Sequence, residues 1–351
     1  MVVPEMPRLT ARRELILKLV IQEYVRTASP VASEALVQNY ALGVSSATVR
    51  NDLAALEELG LLYHPHTSAG RIPTDRGYRY FVEHLMEWHP LPAEEQRMIR
   101  HQFYQVRTDV EEWIRLAASA LARLSHSAAV VTPARSLRSR FKHLELLSVH
   151  DTRVLLVLIF QDGTIRQHML TLSEAISQEE LSRMAGRMNA RLAGLDASEV
   201  AGQVGEEWTV LERQILNLVV STMEQLDRWE WEEIVRDGAL ETLEQPEFAS
   251  GDQARRFLEI LEQGHFLLEI LAQALQRSGI QVIIGGESQR EEMRDYSLIL
   301  SRYGLAGRQE GVLGVLGPTR MPYPRSISAV RFIARTLSEL LGEVHGGLTA
   351  R

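Results

Sequence analysis

The sequence contains no cysteine and only two lysines, Lys18 and Lys142, among its 351 residues. Without cysteine the chain has no disulfide, no thiolate metal site and no cysteine nucleophile. Its longest uninterrupted apolar run, Val154–Phe160, is far shorter than the roughly 20 residues that a membrane-spanning helix needs. No secretory signal pattern opens the chain. We therefore expect a cytoplasmic protein that makes no membrane contact.

Sequence motifs of the common enzyme classes are missing as well. The chain has no phosphate-binding loop, no Gly-x-Ser-x-Gly and no His-Glu-x-x-His, and the sequence Gly-Glu-Ser at 286–288 lacks a closing glycine. His64 and His66 lie two residues apart, but a metal site needs three or four ligands and no third is near. We predict no catalytic residue, no metal and no cofactor.

The charge of the chain does not by itself indicate a nucleic-acid partner. The net charge is −8, and the first 88 residues carry nine Arg and Lys against ten Asp and Glu, whereas nucleic-acid binders are commonly basic. Arg50, Arg71, Arg76 and Arg79 nevertheless fall within one short segment. A dimer also doubles the number of phosphate contacts without needing a basic pI. We expect steep salt dependence and little non-specific binding.

Three short helices are predicted within the first 60 residues. Thr10 is a capping residue before an apolar helical pattern that ends near Tyr24, and Pro30 precedes a second predicted helix at about Ser33 to Tyr40. Gly43 then introduces a turn before the third helix. This order of helices is typical of a helix-turn-helix domain.

The third helix carries the candidate binding face. Its apolar residues at 49, 53, 56 and 59 share one side, and Gly60 suits its end. The opposite side carries small residues with Asn51 and Arg50, and Asn pairs with adenine and Arg with guanine in the major groove. Any small amphipathic helix has a similar pattern, which is the alternative interpretation. The residues predicted to contact DNA are Ser45, Ser46, Ala47, Thr48, Arg50 and Asn51.

A hairpin is predicted directly after this helix. Residues 61–63 and 71–73 are extended and flank a small polar loop at 66–70. A hairpin behind a helix-turn-helix makes a wing, so the N-terminal region is predicted to be a winged helix-turn-helix. The wing residues predicted to contact DNA are His66, Thr67, Ser68 and Arg71, with Arg71 directed to phosphate or the minor groove.

The larger C-terminal part is predicted to be α+β. A heptad-like stripe from Ile99 to Leu124 predicts one long helix that packs either on its own domain or against a second subunit. Strands are predicted over 144–172 and again between 281 and 316. Helices are predicted over 177–237, 252–277 and 326–341. We predict domains at 1–90, 91–176, 177–250 and 251–351, with a hinge at 89–92, which gives an antiparallel sheet domain with a helical insertion.

Three runs resemble the HrcA family of heat-inducible transcription repressors, at residues 30–62, 66–82 and 311–330. The wing sequence HTSAGRIPT is the most specific of these matches. The resemblance implies that the sheet domain is GAF-like and that the mainly helical insertion at 177–250 dimerises. It also implies a homodimer that binds an inverted-repeat operator in double-stranded DNA upstream of chaperone operons, and modulation of that activity by the GroEL chaperonin.

Two other functions are consistent with parts of the sequence. GAF-like domains often bind small molecules, and glycines at 285–286 and 304–307 could line a pocket, so a small-molecule-sensing winged-helix repressor is one alternative. A bifunctional enzyme–repressor, such as a biotin ligase with a DNA-binding module, is the other. That enzyme would need a Gly/Arg-rich nucleotide loop, which the sequence lacks.

Overall fold

The computed structural model describes most of the chain, namely residues 6–65, 70–106, 109–135, 139–203, 205, 207–227, 233–263 and 265–346. The α-helices of this part are α1 (Ala11–Thr27), α2 (Ser33–Asn39), α3 (Ser46–Glu58), α4 (Asp75–Tyr80), α5 (Ala93–Gln105), α6 (Val110–Ser125), α7 (Gln178–Leu192), α8 (Ala197–Ala201), α9 (Val210–Leu226), α10 (Ala239–Leu243), α11 (Gly251–Gln263), α12 (His265–Leu275) and α13 (Tyr323–Gly346). The strands are β1 (Leu62–Tyr63), β2 (Ile72–Pro73), β3 (Ala128–Val131), β4 (Phe141–His150), β5 (Arg153–Phe160), β6 (Ile165–Thr171), β7 (Val235–Asp237), β8 (Ile280–Ile284), β9 (Tyr296–Leu305) and β10 (Gln309–Pro318).

The chain divides into two compact units. The first unit comprises Met1–Pro133, Trp231–Gly304 and Gly311–Arg351, and the second comprises Ala134–Glu230 and Leu305–Glu310. The structure is therefore α+β, as predicted, and the second unit is inserted into the sequence of the first.

The first three helices and the hairpin form the predicted winged helix-turn-helix. Thr10 caps α1, and the Ser45 hydroxyl caps α3 by accepting the Thr48 N–H at 3.2 Å. Gly60 follows α3 with φ +72°, a left-handed conformation that glycine adopts without a steric penalty. The helices bury an apolar core that consists of Ile16, Leu17, Val20, Leu36, Val49, Leu53 and Leu56.

Two helices occupy the place of the single long helix that the heptad-like stripe predicts, so that prediction is wrong. Helix α5 ends at Gln105 and α6 begins at Val110. The Asp109 carboxylate accepts the N–H of Glu111 at 2.9 Å, and a capping aspartate stabilises the start of a helix rather than its interior. Helix α6 packs on α13 and β3. The stripe therefore belongs to the core of the first unit.

A five-stranded sheet lies at the centre of the first unit, in the order β7-β3-β10-β9-β8. The pairs β3–β10, β3–β7 and β8–β9 are antiparallel. The sequence analysis missed β3, and it assigned β7 to a helix. Gly314 of β10 lies so close to β9 that a Cβ atom there would fall 2.2 Å from the Ile299 carbonyl oxygen, so only glycine fits this position.

The second unit has its own three-stranded antiparallel sheet, in the order β4-β5-β6. The strands predicted at 144–172 are confirmed, but they do not join the five-stranded sheet. Ser177 and Glu180 form a capping box at the start of α7. Apolar residues of the sheet and of α7 and α9 share one core. This unit begins at Ala134, and its strands bury their apolar face against those helices.

Candidate nucleic-acid interface

Helix α3 presents two different sides. Val49, Leu53 and Leu56 are fully buried in the winged-helix core. The predicted contact residues occupy the other side of its N-terminal half: Ser45, Ala47, Arg50 and Asn51 are exposed, and Ser46 and Thr48 are half-buried. Small side chains beside one Asn and one Arg allow close approach to base edges in a major groove.

Arg50 is not a free cation in this structure. Its Nη2 atom lies 2.6 Å from Oε1 of Glu34, which belongs to the first turn of α2. Hydrogen bonds from its own backbone N–H, from Arg50 and from Ser33 lower the pKa of the Glu34 carboxyl. The side chain predicted to contact guanine is thus paired with a carboxylate on the neighbouring helix.

A buried carboxylate orients α3, the helix that carries the predicted DNA contacts. Asp52 is only 3% exposed on the inner side of α3. It accepts hydrogen bonds from Arg12 Nε at 2.6 Å and from Arg13 Nε at 3.2 Å, both on α1. Burial alone would raise the pKa of Asp52, but the hydrogen bonds and charges of Arg12 and Arg13 outweigh it and lower the pKa. The sequence analysis missed this cluster because the partners lie 39 and 40 positions away.

The base of the wing is fixed by Arg71. Its backbone exchanges two 2.9 Å hydrogen bonds with Val31. Its Nε atom lies 3.2 Å from Glu57, and its side chain is 12% exposed. His64 contacts the other carboxylate oxygen of Glu57 at 2.6 Å. Arg71 therefore stabilises the wing from within, which does not favour the predicted phosphate contact.

The tip of the wing is part of the predicted contact surface but not of the described structure. His66, Thr67 and Ser68 lie outside the described residues. Gly70, the first described residue after them, lies close to the segment that precedes α2, since a Cβ atom there would fall 2.4 Å from the Val31 carbonyl carbon. This contact directs the returning strand of the hairpin.

Two further arginines of this region bond to protein groups. Arg76 Nη1 donates to the Leu59 carbonyl at 3.3 Å. Arg79 Nη2 donates to the Val282 carbonyl at 2.6 Å, and its guanidinium also pairs with Glu287. Burial tends to lower the pKa of Arg79, but the hydrogen bond to Glu287 raises it overall. Arg79 thus joins the winged helix to the sheet part of the first unit.

Within the described residues, no group of three or more His, Asp or Glu side chains is arranged to hold a metal ion. None of the described helices is both long enough and apolar enough to cross a membrane.

This fold and this exposed helix define a helix-turn-helix transcription regulator. Residues 12–74 match the family model of a DeoR-like helix-turn-helix domain, and residues 111–327 match the model described as the HrcA protein C terminal domain. The chain belongs to the HrcA family of heat-inducible transcription repressors.

Known relatives agree with this assignment. The heat-inducible transcription repressor HrcA of Roseiflexus castenholzii is 54% identical over 96% of both chains. The HrcA repressor of Herpetosiphon aurantiacus is 51% identical over 96% of this chain and 97% of its own. A crystal structure described as that of a hypothetical protein covers 95% of this chain and 98% of its own, with 23% identity and a TM-score of 0.56. That likeness supports the fold.

Proposed function

We propose that the protein represses chaperone operons by binding an inverted-repeat operator as a homodimer. The N-terminal half of α3 enters the major groove in each half-site, and the wing lies beside it. The five-stranded sheet is the GAF-like part of this arrangement, and the second unit is the dimerising insertion. This function needs no catalytic step, metal or cofactor, and it is exercised in the cytoplasm.

One observation carries the DNA-binding part of the proposal. The side of α3 that faces away from the winged-helix core has no apolar side chain larger than alanine in its first two turns, and it exposes Arg50 and Asn51. An exposed face with that composition is suited to base edges. Its orientation depends on contacts at its buried side, because Asp52 bonds to two arginines of α1.

The outer face of the three-stranded sheet supports dimerisation through the second unit. Leu147, Val149, Ile165 and Met169 are between 43% and 56% exposed. Leu147 and Met169 both lie opposite Leu155 in the sheet register, so they form one apolar row. Clustered exposed apolar residues mark interaction surfaces. An isologous pairing of two such faces gives the two-fold symmetry that an inverted repeat requires.

Operator binding is tested with the full-length protein and the DNA upstream of its own coding sequence. We expect a footprint with two half-sites about one helical turn or a multiple apart. Asn51→Ala is expected to cost about 1–3 kcal/mol of specific binding. Gln22→Ala, an exposed amide on α1, is the matched control. Equal operator binding by the Asn51 variant and the control would exclude α3 as the base-reading element.

Family membership also motivates a role for GroEL. Heat-damaged proteins that occupy the chaperonin would leave less of it to refold the repressor, and the operons would be released. The test titrates GroEL and ATP against freshly diluted repressor and measures the operator-bound fraction. The fraction should rise over the range in which a control protein refolds. A constant fraction over that range would exclude chaperonin modulation.

A further inference from the structure

A cleft of about 490 Å³ lies within the first unit, between the winged helix and the sheet part. Tyr24, Tyr63 and Asp75 line it from the winged-helix side, and Asp295 and Tyr296 line it from the sheet side. We call it the aromatic cleft. Its volume falls in the range of about 300–1,000 Å³ that small-molecule sites occupy.

The carboxylates of the aromatic cleft differ in whether an arginine pairs with them. Glu247 pairs with Arg320. Asp75, by contrast, accepts one backbone N–H, from Gly286 at 3.0 Å. Within the described residues, neither Asp75 nor Asp295 has a cationic side chain within ion-pair distance. Arg294, also in the lining, is exposed to solvent. The charge of Arg294 acts on Asp75 without forming an ion pair with it, so the cleft presents two carboxylates that no described cationic side chain pairs with.

The pKa values of one aspartate and two tyrosines in the aromatic cleft are raised. Burial raises the pKa of Asp75 above its ordinary value. The hydrogen bond from Gly286 and the charge of Arg294 lower this pKa, whereas the carboxylates of Glu287 and Asp295 raise it. Burial, followed by the charges of Asp75 and Asp295, raises the pKa of Tyr63. Burial and Asp295 raise the pKa of Tyr296 to about 12. Burial is the largest cause in each case, and neighbouring carboxylates act in the same direction.

A hydroxyl in the same wall lacks a hydrogen-bond partner. Tyr78 lines the cleft and is 2% exposed. Its hydroxyl oxygen is buried and makes no hydrogen bond within the described structure. Buried polar atoms are nearly always paired, and an exception calls for an explanation. A ligand with an N–H donor would satisfy this oxygen.

We propose that the aromatic cleft binds a small primary amine, of the diamine or polyamine class. Ammonium groups pair with Asp75 and Asp295, one N–H reaches the Tyr78 hydroxyl, and the alkyl chain lies against the rings of Tyr63 and Tyr296. Cations are attracted to tyrosine rings, and a carboxylate forms its strongest hydrogen bonds with a charged donor such as an ammonium group.

Such a ligand would connect the two parts of the first unit. The cleft has one wall from the winged helix and one from the sheet part. The ion pair of Arg79 with Glu287 and the hydrogen bond that Arg320 donates to the Val25 carbonyl of α1 already join these parts. A bound amine adds a third bridge and stabilises the same arrangement. Binding free energy then adds to the free energy of unfolding.

The experiment is calorimetric titration of the full-length protein with spermidine in the absence of DNA, because DNA itself binds polyamines. We expect saturable binding of one spermidine per chain. The uncharged 1,6-hexanediol, of comparable length, should not bind. Asp295→Asn and Asp75→Asn should each weaken binding by about tenfold, the effect of a lost charged hydrogen bond. Tyr78→Phe should weaken it by a smaller factor.

Glu94→Gln, which neutralises an exposed carboxylate outside the cleft, is the control and should bind spermidine like the wild type. The amide introduced by Asp75→Asn retains an oxygen for the Gly286 N–H. Among the described residues, the exposed Asp295 makes no hydrogen bond through its side chain. Both variants should therefore fold, and circular dichroism checks this.

Absence of saturable binding up to about 10 mM spermidine would overturn the proposal. Equal affinity of wild type, Asp75 and Asp295 variants would overturn it as well. Operator binding without spermidine is a separate measurement, so failure here leaves the proposed repressor function intact.

Discussion

Arg50 on the exposed side of α3 is hydrogen-bonded to Glu34 on α2, with 2.6 Å between Nη2 and Oε1. The side chains are 62% and 52% exposed, so water screens their attraction. Glu34 thus restrains an arginine that the proposed function directs to DNA. When a duplex approaches, phosphates and base acceptors compete with Glu34 for the same guanidinium.

Glu34→Gln should therefore strengthen DNA binding. The substitution removes a negative charge beside the proposed DNA-binding surface and frees Arg50. We expect the affinity for the operator and for unrelated duplexes to rise roughly twofold to fivefold, which matches the energy of an exposed ion pair. Fluorescence anisotropy at fixed salt measures both. Glu58→Gln, at the far end of α3, is the control. A rise of the same size in the control would mean that net charge, and not release of Arg50, is responsible.

The wing gives a second prediction. Because the Arg71 guanidinium is mostly buried against Glu57, Arg71→Ala should destabilise the protein by about 1–2 kcal/mol and weaken binding to all sequences alike. The slope of log affinity against log salt should stay unchanged. Thermal unfolding and salt titration test the two parts. A slope reduced by about one, with unchanged stability, would instead show that Arg71 neutralises a phosphate.

A third prediction concerns the junction between α3 and α4. Gly77 of α4 packs on the preceding loop, and a Cβ atom there would fall 2.1 Å from the Leu61 carbonyl oxygen. Gly77→Ala should therefore destabilise the protein by about 1–3 kcal/mol, the cost of overpacking. Gly186, inside α7, has nothing within 4 Å of the same position. Gly186→Ala should stabilise by about 0.5–1 kcal/mol. Thermal or denaturant unfolding compares the two, and equal effects would contradict the close approach of α4 to Leu61.

Local and distant features of the fold were not equally predictable. The cap at Thr10 and the amphipathic side of α3 follow from spacings of three or four residues, and the structure confirms them. Strand β3 is a run of two Ala and two Val directly after α6, and nothing local distinguishes it from the helix. Its partners β7 and β10 lie more than 100 residues away.

The candidate site shows the same division. The exposed residues of α3 were predicted, because the helical period alone separates them from its core. The ion-pair partners of the nearby arginines were not predicted. Arg79 was counted among the charges available to DNA, but it pairs with Glu287, 208 positions further along the chain. Pairing across such separations depends on the tertiary fold, and a single sequence contains no spacing that indicates it.

Acid should loosen the recognition helix, and this is the fourth prediction. Arg12 and Arg13 lower the pKa of Asp52 against the effect of burial, so its folded pKa lies below its unfolded value of about 3.9. The stability it contributes is present above that unfolded value and is lost as pH falls through the folded pKa. The free energy of unfolding should therefore be lower at pH 3 than at pH 6, and Asp52→Asn should reduce this difference.

Denaturant unfolding at both pH values measures this difference. The control Glu94→Gln should leave the pH dependence unchanged, and an Asp52 variant that also leaves it unchanged would refute the role of this cluster.

The last prediction concerns assembly. If two copies pair through the outer face of the three-stranded sheet, a charge in the row formed by Leu147 and Met169 is buried in the interface without a partner. Such a buried charge is costly. The double variant Leu147→Glu, Met169→Glu should therefore sediment as a monomer. It should also lose most of its operator affinity, because a monomer contacts one half-site at a time.

Both side chains are exposed within the single chain, so the fold should remain intact by circular dichroism. Leu240→Glu, at a residue of the first unit that is 78% exposed, introduces the same charge elsewhere and should remain a dimer with normal binding. If the double variant sediments as a dimer and binds the operator normally, the subunits meet on a different surface.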